Sequence, residues 1–275
     1  MIGKFLSWLG GKDDAPAPIS DALWNETIAL YPFLDRLDED ERRRLRDLSG
    51  QFLAEKEFSA AGGLVLDDRI CLEIAIQGCL PILNLGLSWY RGWDGVIIYP
   101  DEFVIPREIA DPDGVVHRYD EVAAGEAWSG GPLIVSWHDV QMTDDVYNVV
   151  IHEFAHKIDM LNGDADGFPR LHRDMDPAEW HAVMTEAYAD FCRRVDEAPL
   201  FEDAQDENDV DLDSVLDPYA ATLPGEFFAV TSEVFFTAPA HLQAEYPALY
   251  REFCKLYRQD PAAGFRPAEN EIQGD

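Results

Sequence analysis

The chain has 275 residues, of which 47% are hydrophobic, so it is long enough and apolar enough to bury a substantial core. Its mean hydropathy is −0.22 and it has no apolar run approaching about twenty residues, which excludes a membrane-spanning helix. The formal net charge of −33 disfavours nucleic-acid binding, because phosphate groups would be repelled.

The four cysteines contain no Cys-x-x-Cys pair and indicate free thiols in a reducing compartment. Cys71 and Cys79 belong to one helix-like stretch and lie about 12 Å apart along its axis, which is too far for a disulfide. The glycine-interrupted N-terminus is too short for a signal peptide, and residues 1–19 predict a flexible leader. We therefore expect a cytoplasmic protein.

Helical patterns dominate residues 20–79. Asp38 is followed three residues later by Glu41, the spacing of a capping box, and apolar residues then recur at helical intervals. A second helix is predicted from Asp67 and must end near Pro81, because proline cannot continue a helix.

Short β-like runs replace the helical pattern between residues 85 and 140. Residues 96–99 and 133–137 are the clearest strands, since both are rich in β-branched and aromatic side chains. The segment 111–114, Asp-Pro-Asp-Gly, predicts a turn between strands.

The pattern returns to helices after Thr143. This residue is predicted to cap a helix that runs to about Leu161, and Gly163 is the natural stop. Three further helices are predicted, over 177–195, 223–237 and 242–258.

An acidic segment, residues 196–217, holds ten carboxylates and predicts an exposed loop. No Lys or Arg occurs between Val195 and Tyr250. The layout as a whole predicts one α+β domain over residues 20–265, with helices flanking a small β-sheet, followed by a tail over 266–275.

The motif that carries chemistry is the HExxH sequence that begins at His152. On a helix, His152 and His156 are one turn apart on the same face, so both imidazoles can bind one metal ion. Glu153 can then hold a water molecule at the metal and take its proton. The motif predicts a catalytic zinc site, with about one Zn²⁺ per chain.

A catalytic zinc needs a third protein ligand. The metzincin pattern HExxHxxGxxH is excluded, because it would require glycine at Asp159 and histidine at Asn162. Asp159 fits a supporting carboxylate better than a ligand. A glutamate from a later helix remains, and the candidates are Glu179, Glu186, Glu226 and Glu233.

Two of these candidates, Glu226 and Glu233, are favoured by their position. They lie seven residues apart in one predicted helix and therefore project from nearly the same face. Residue spacing alone does not separate them.

Several segments resemble the Mlc titration factor A family of zinc peptidases. The HExxH region reads HEFAHKID, and NGD follows shortly after it. The later segments DPYAA, EFFAV and SEVFF begin at Asp217, Glu226 and Ser232. The similarity extends from about residue 20 to residue 265.

This resemblance implies a gluzincin-type zinc metallopeptidase with a catalytic core similar to that of the anthrax lethal factor. It implies that His152, His156 and Glu226 bind Zn²⁺, that Glu153 is the base, and that Tyr219 supplies a hydroxyl to the transition state. It also implies aminopeptidase-like activity on small substrates in the cytosol. Family members are linked to glucose regulation: they bind and titrate the repressor Mlc, which relieves repression of a sugar-transport gene.

Two classes of function follow. The first is an enzyme that hydrolyses peptide or small aminoacyl substrates, with the strand at 133–137 pairing with the extended substrate. The alternative is a non-catalytic protein that titrates a transcription factor and carries a structural or vestigial zinc site; its acidic surface would suit a basic partner. Glu153 and Tyr219 favour the enzyme, because a purely structural site does not use a base.

Overall fold

The structure, a computed structural model, describes residues 18–110, 116–142, 146–200 and 212–263. Several predicted features lie outside the described residues: most of the leader, the turn at 111–114, Thr143, the middle of the acidic segment at 201–211, and the tail at 266–275. No helix within the described ranges is long and apolar enough to cross a membrane.

The helices follow one another along the chain as α1 (Asp21–Ile28), α2 (Glu39–Glu55), α3 (Asp68–Cys79), α4 (Trp137–Val140), α5 (Val149–Asp159), α6 (Pro177–Glu197), α7 (Pro224–Thr237), α8 (Pro239–Glu245) and α9 (Pro247–Tyr257). The strands are β1 (Glu57–Ala60), β2 (Gly95–Tyr99), β3 (Phe103–Ala110), β4 (Val116–Ala123), β5 (Gly125–Ala127) and β6 (Leu133–Ser136). They form a single α+β domain in which helices flank a small mixed sheet, as predicted.

The sheet has the strand order β1-β2-β6-β5. The first three strands in this order are parallel, and β5 runs antiparallel to β6. Because β6 is hydrogen bonded to β2 on one side and to β5 on the other, β6 has no free edge. Strands β3 and β4 pair with each other in a separate antiparallel hairpin.

Helix α5 occupies the centre of the fold and packs against α3, α7, β5 and β6. Its Phe154 is fully buried and its ring centroid lies 5.1 Å from that of Tyr90 and 5.6 Å from that of Phe52. On α3, a side chain at Gly78 would place its Cβ 2.6 Å from Cε1 of the Phe154 ring and closer still to Cζ. The aromatic core therefore depends on a glycine at this helix contact.

Local capping signals in the N-terminal half are confirmed. The Asp38 carboxylate accepts a 2.8 Å hydrogen bond from the Glu41 amide, and the Glu41 carboxylate accepts a 3.0 Å bond from the Asp38 amide. Helix α3 begins after Asp67, whose carboxylate accepts from the Ile70 amide, and it ends before Pro81.

Three element predictions are wrong. Strand β1 was not predicted, because it has four residues of which only Phe58 is buried, too few to show an alternating pattern. Helix α5 begins at Val149, where Asn148 is the cap, and not after Thr143. The helix predicted over 242–258 is divided into α8 and α9, and Pro247 starts the second of them.

The acidic segment differs from the predicted exposed loop at both described ends. Helix α6 extends through Glu197, two residues into that segment. At the other end Leu216 is fully buried, and the Ser214 hydroxyl donates a 2.8 Å hydrogen bond to Glu245. The end that leads towards Asp217 is therefore packed against the domain.

Candidate metal centre

The start of α5 is held by Asn148. Its side-chain oxygen accepts a 2.8 Å hydrogen bond from the Ile151 amide, which satisfies a helix donor that would otherwise have no partner. Its side-chain amide donates a 2.7 Å bond to Gln77 on α3. The core side of α5 is buried at Val150 and Phe154, and this burial fixes the rotation of the helix.

One turn of α5 carries the two histidines of the HExxH motif, and α7 brings a carboxylate to them. The Nε2 atoms of His152 and His156 lie 3.1 Å apart. Glu226 Oε2 lies 3.1 Å from His152 Nε2 and 3.3 Å from His156 Nε2. These three residues are a cluster that could hold a metal ion, the only such group found among the described residues.

The position of Glu226 follows from the start of α7. Pro224 occupies the first position of the helix, and Glu226 lies in the first turn, where it faces α5. Burial alone would raise the pKa of Glu226, but hydrogen bonds with His152 and His156 hold that pKa far below its ordinary value. The carboxylate is therefore kept ionised.

Glu233, the other favoured candidate, contacts the opposite side of the same imidazole. Its Oε1 lies 2.6 Å from His152 Nδ1, and its Oε2 accepts a 2.7 Å hydrogen bond from the backbone amide of Asn148. Two carboxylates of α7 thus hold the two ring nitrogens of His152. The structure brings Glu226 into the cluster and leaves Glu233 behind the histidine, where it orients the ring.

Glu153 lies beside the cluster with only 4% of its surface exposed. Burial raises its pKa to about 7, although the neighbouring histidines oppose the shift. Its Oε2 atom is buried and has no hydrogen-bond partner within the described ranges. Such a carboxyl group has a pKa suited to taking and releasing a proton near neutral pH.

A cleft of about 760 Å³ opens over the cluster. Its walls come from β5, α5, α7 and the segment that ends at Asp217. Tyr219 also lines this cleft; it is 43% exposed, and its ring centroid is 6.5 Å from that of His152. Asp217 accepts a 2.8 Å hydrogen bond from the Tyr219 amide and so fixes the turn that carries the tyrosine.

The remaining candidate residues lie away from the cluster. The buried Asp159 accepts a 2.7 Å hydrogen bond from the Gly167 amide, and so it fastens the loop after α5. Glu179 contacts Lys255 on α9, and Glu186 is exposed on α6. None of these three residues belongs to the group of candidate metal ligands.

Sequence reasoning did not identify Asn148 and Gln77 as supports of the site. Neither belongs to a motif, and the chain brings them together across 71 positions. Asn148 does carry a local signal, because asparagine before an apolar run is typical of a helix cap. Gln77 carries none.

Comparisons with known proteins agree with this site. Residues 9–258 match the family described as glucose-regulated metallo-peptidase M90. The chain is 40% identical over 256 residues to Mlc titration factor A of Salmonella arizonae, and the aligned region covers 90% of this chain and 94% of the relative. It is 36% identical over 272 residues to Mlc titration factor A of Yersinia pestis, and that aligned region covers 97% of this chain and 95% of the relative.

Proposed function

Because the chain belongs to the family of glucose-regulated M90 metallopeptidases, we propose that it is a zinc-dependent peptidase whose metal is held by His152, His156 and Glu226. The observation that carries the proposal is the convergence of three ligand atoms beside a buried carboxyl group. The motif resemblance predicted this family, and the comparisons confirm it.

The cluster fits zinc in both chemistry and spacing. Ligand atoms about 2.0–2.1 Å from a tetrahedral zinc ion are about 3.3 Å from one another. The three atoms of the cluster are separated by 3.1, 3.1 and 3.3 Å. Two histidines and one glutamate form a donor set of the catalytic type, which keeps a fourth position open for the reaction.

Zinc bound at this cluster would polarise the scissile carbonyl and lower the pKa of the attacking water. Glu153 is placed to accept the proton of that water and to pass it to the leaving amine. Glu233 holds His152 in one tautomer, with Nε2 directed towards the metal position. In this gluzincin-type arrangement, α5 supplies the base and two ligands, and α7 supplies the third ligand and its support.

Tyr219 is the proposed donor to the negative charge that develops on the carbonyl oxygen. It lines the cleft on the side of the turn that precedes α7, and its ring faces His152. A hydroxyl group in this position stabilises the transition state more than the ground state. Its partial exposure at the cleft leaves it accessible to a bound substrate.

The substrate would bind along β5. The expectation that the strand at 133–137 pairs with substrate is wrong, because β6 is hydrogen bonded on both sides. Strand β5 pairs with β6 alone in the described sheet, and all three of its residues line the cleft. An extended peptide can therefore add to β5 through main-chain hydrogen bonds.

The charge of the cleft favours a substrate with a free amino group. The lining residues include Glu126, Asp217 and the carboxylates of the site, and none of those described is Lys or Arg. No described Lys or Arg side chain of the lining is therefore available to bind a C-terminal carboxylate. We propose aminopeptidase-like activity on peptides or small aminoacyl compounds for this reason.

A regulatory partner belongs to the same proposal. The relatives are named for the titration of Mlc, and we propose that this chain binds a repressor of the Mlc type. The net charge of −33 suits a partner with a basic surface. The alternative is that titration is the whole function and the metal site is structural or vestigial; the buried Glu153 beside the cluster favours catalysis.

Metal analysis combined with hydrolysis tests the proposal directly. The purified protein should contain about one zinc per chain and should release the fluorophore from an aminoacyl amide. Chelation should abolish the release, and added Zn²⁺ should restore it. A protein that binds zinc and repressor but cleaves no substrate would establish the alternative. The four free cysteines support assay under reducing conditions, as in the cytoplasm.

A further inference from the structure

Strand β5 meets the catalytic helix at Gly125. A Cβ atom at this position would lie 2.6 Å from Cγ and 2.7 Å from Cδ of Glu153, and closer still to Oε1. Real Cβ atoms essentially never approach other heavy atoms within 3.0 Å. The observed position of the Glu153 side chain is therefore compatible with glycine at residue 125 and with no other amino acid.

The backbone does not explain this glycine. Gly125 pairs with Val135 in the regular ladder between β5 and β6, and its φ lies outside the left-handed region that favours glycine. Alanine could adopt the same strand conformation. The contact with Glu153 is the feature that requires the missing side chain.

Neither the strand nor the helix is free to move apart. Next to Gly125, the Ala124 carbonyl accepts a 2.7 Å hydrogen bond from the Ser136 amide, which holds β5 on the sheet. Beyond the other end of β5, the Lys157 ammonium group of α5 donates to the carbonyl oxygens of Trp128 and Gly131 at 2.7 and 2.9 Å. A methyl group at position 125 would therefore displace the Glu153 side chain and leave the strand and the helix in place.

We infer that Gly125 is a positioning residue that keeps the Glu153 carboxylate where it can transfer a proton, an inference that rests on the proposed role of Glu153. Proton transfer depends on the distance between the base and the water, and a displacement of about 1 Å can cost about 10²-fold in rate. The residue acts through Glu153 and leaves the metal ligands untouched.

The variant Gly125→Ala tests the inference. We expect a kcat about 100-fold below that of the parent, with zinc content unchanged and KM within a few-fold. The matched control is Gly95→Ala in β2, where the new Cβ would lie 2.7 Å from the Glu57 carbonyl oxygen, away from the cleft. The control should lower the melting temperature and leave kcat unchanged.

A double variant separates positioning from general strain. Glu153→Ala removes Cγ and Cδ, the carbon atoms that a side chain at residue 125 would contact, and its residual kcat no longer depends on the position of a carboxylate. In that background, adding Gly125→Ala should cost less than about threefold in kcat, because the contact no longer exists. An equal loss in both backgrounds, or a Gly125→Ala variant with normal kcat, would overturn the inference.

A crystal structure of zinc-bound Gly125→Ala keeps this test independent of the proposed activity. We expect the Glu153 carboxylate to be displaced while His152 and His156 stay in place. An unmoved carboxylate would refute the inference whatever the kinetics show. If the parent protein with zinc cleaved no substrate, the proposed function would fail, and this structure would still decide the role of Gly125.

Discussion

Helices α5 and α7 together supply the three candidate metal ligands, but the two helices differ in the distribution of polar and apolar residues around their axes. Helix α5 has a core side with Val150 and Phe154 and a cleft side with the histidines. Helix α7 is buried from Phe227 to Phe236 on all its sides, and Glu226 lies partly buried in its first turn. Both helices are buried at nearly every residue, but α5 separates polar from apolar residues around its axis more strongly than α7 does, so its sequence shows the functional face more clearly.

The two carboxylates of α7 show what this difference means for the site. They are about 10 Å apart along the helix axis, yet both contact the imidazole of His152, one at Nε2 and one at Nδ1. Which carboxylate reaches the metal position depends on how α7 lies across α5. That arrangement is a property of the packed helices and not of either sequence.

The largest effect is expected from Glu226, the proposed ligand on α7. Glu226→Gln replaces a charged ligand with a neutral amide, so zinc affinity should fall by more than about 100-fold, beyond the usual effect of residues that only support a ligand. Competition with a chelating dye measures the affinity. If Glu226→Gln kept the metal and Glu233→Gln released it, the roles of the two carboxylates would be reversed.

On α5, the proposed base can be removed without changing any proposed metal ligand. Glu153→Gln keeps the size of the side chain and abolishes proton transfer, so hydrolysis should fall by about 10²- to 10⁴-fold while zinc content stays at about one per chain. Turnover of an aminoacyl amide, measured on metal-loaded protein, checks this. Full activity in the loaded variant would show that Glu153 is not the base.

The segment before α7 contributes a smaller effect. Tyr219→Phe removes one hydrogen-bond donor from the cleft, and kcat should fall by about 10²- to 10³-fold, with zinc retained. The loss should appear in kcat more than in KM, because the interaction is made with the developing charge. Steady-state kinetics decide the matter, and a change confined to KM would place the tyrosine in substrate binding alone.

The smallest effect is expected from Glu233→Gln. The amide can still accept a hydrogen bond from His152 Nδ1 but no longer carries a charge, so zinc affinity should fall by about 10- to 100-fold. The same chelator competition used for Glu226→Gln gives a direct comparison. Equal losses for the two variants would show that α7 holds the metal position through both carboxylates.

Local sequence signals predicted a large part of the fold. The capping box at Asp38, the start of α3 after Asp67 and the strand at 133–136 all depend on residues close together in the chain. The failures occurred where the local pattern was too short or depended on distant partners. Strand β1 is too short to show its alternating pattern. The start of α5 was misplaced because its cap, Asn148, is held by hydrogen bonds to Gln77 of α3 and Glu233 of α7.

The sequence by itself determined the HExxH pair, the glutamate proposed as its base and the family, because residues four apart on a helix share a face whatever surrounds them. Residue spacing left Glu226 and Glu233 open and the family resemblance favoured Glu226; only the tertiary structure brings Glu226 to the two histidines and Glu233 to the other ring nitrogen of His152. It also decided that β5 is the edge strand of the described sheet beside the cleft, with Gly125 against Glu153. These contacts join segments far apart in the chain, and their distances are set by how helices and strands pack.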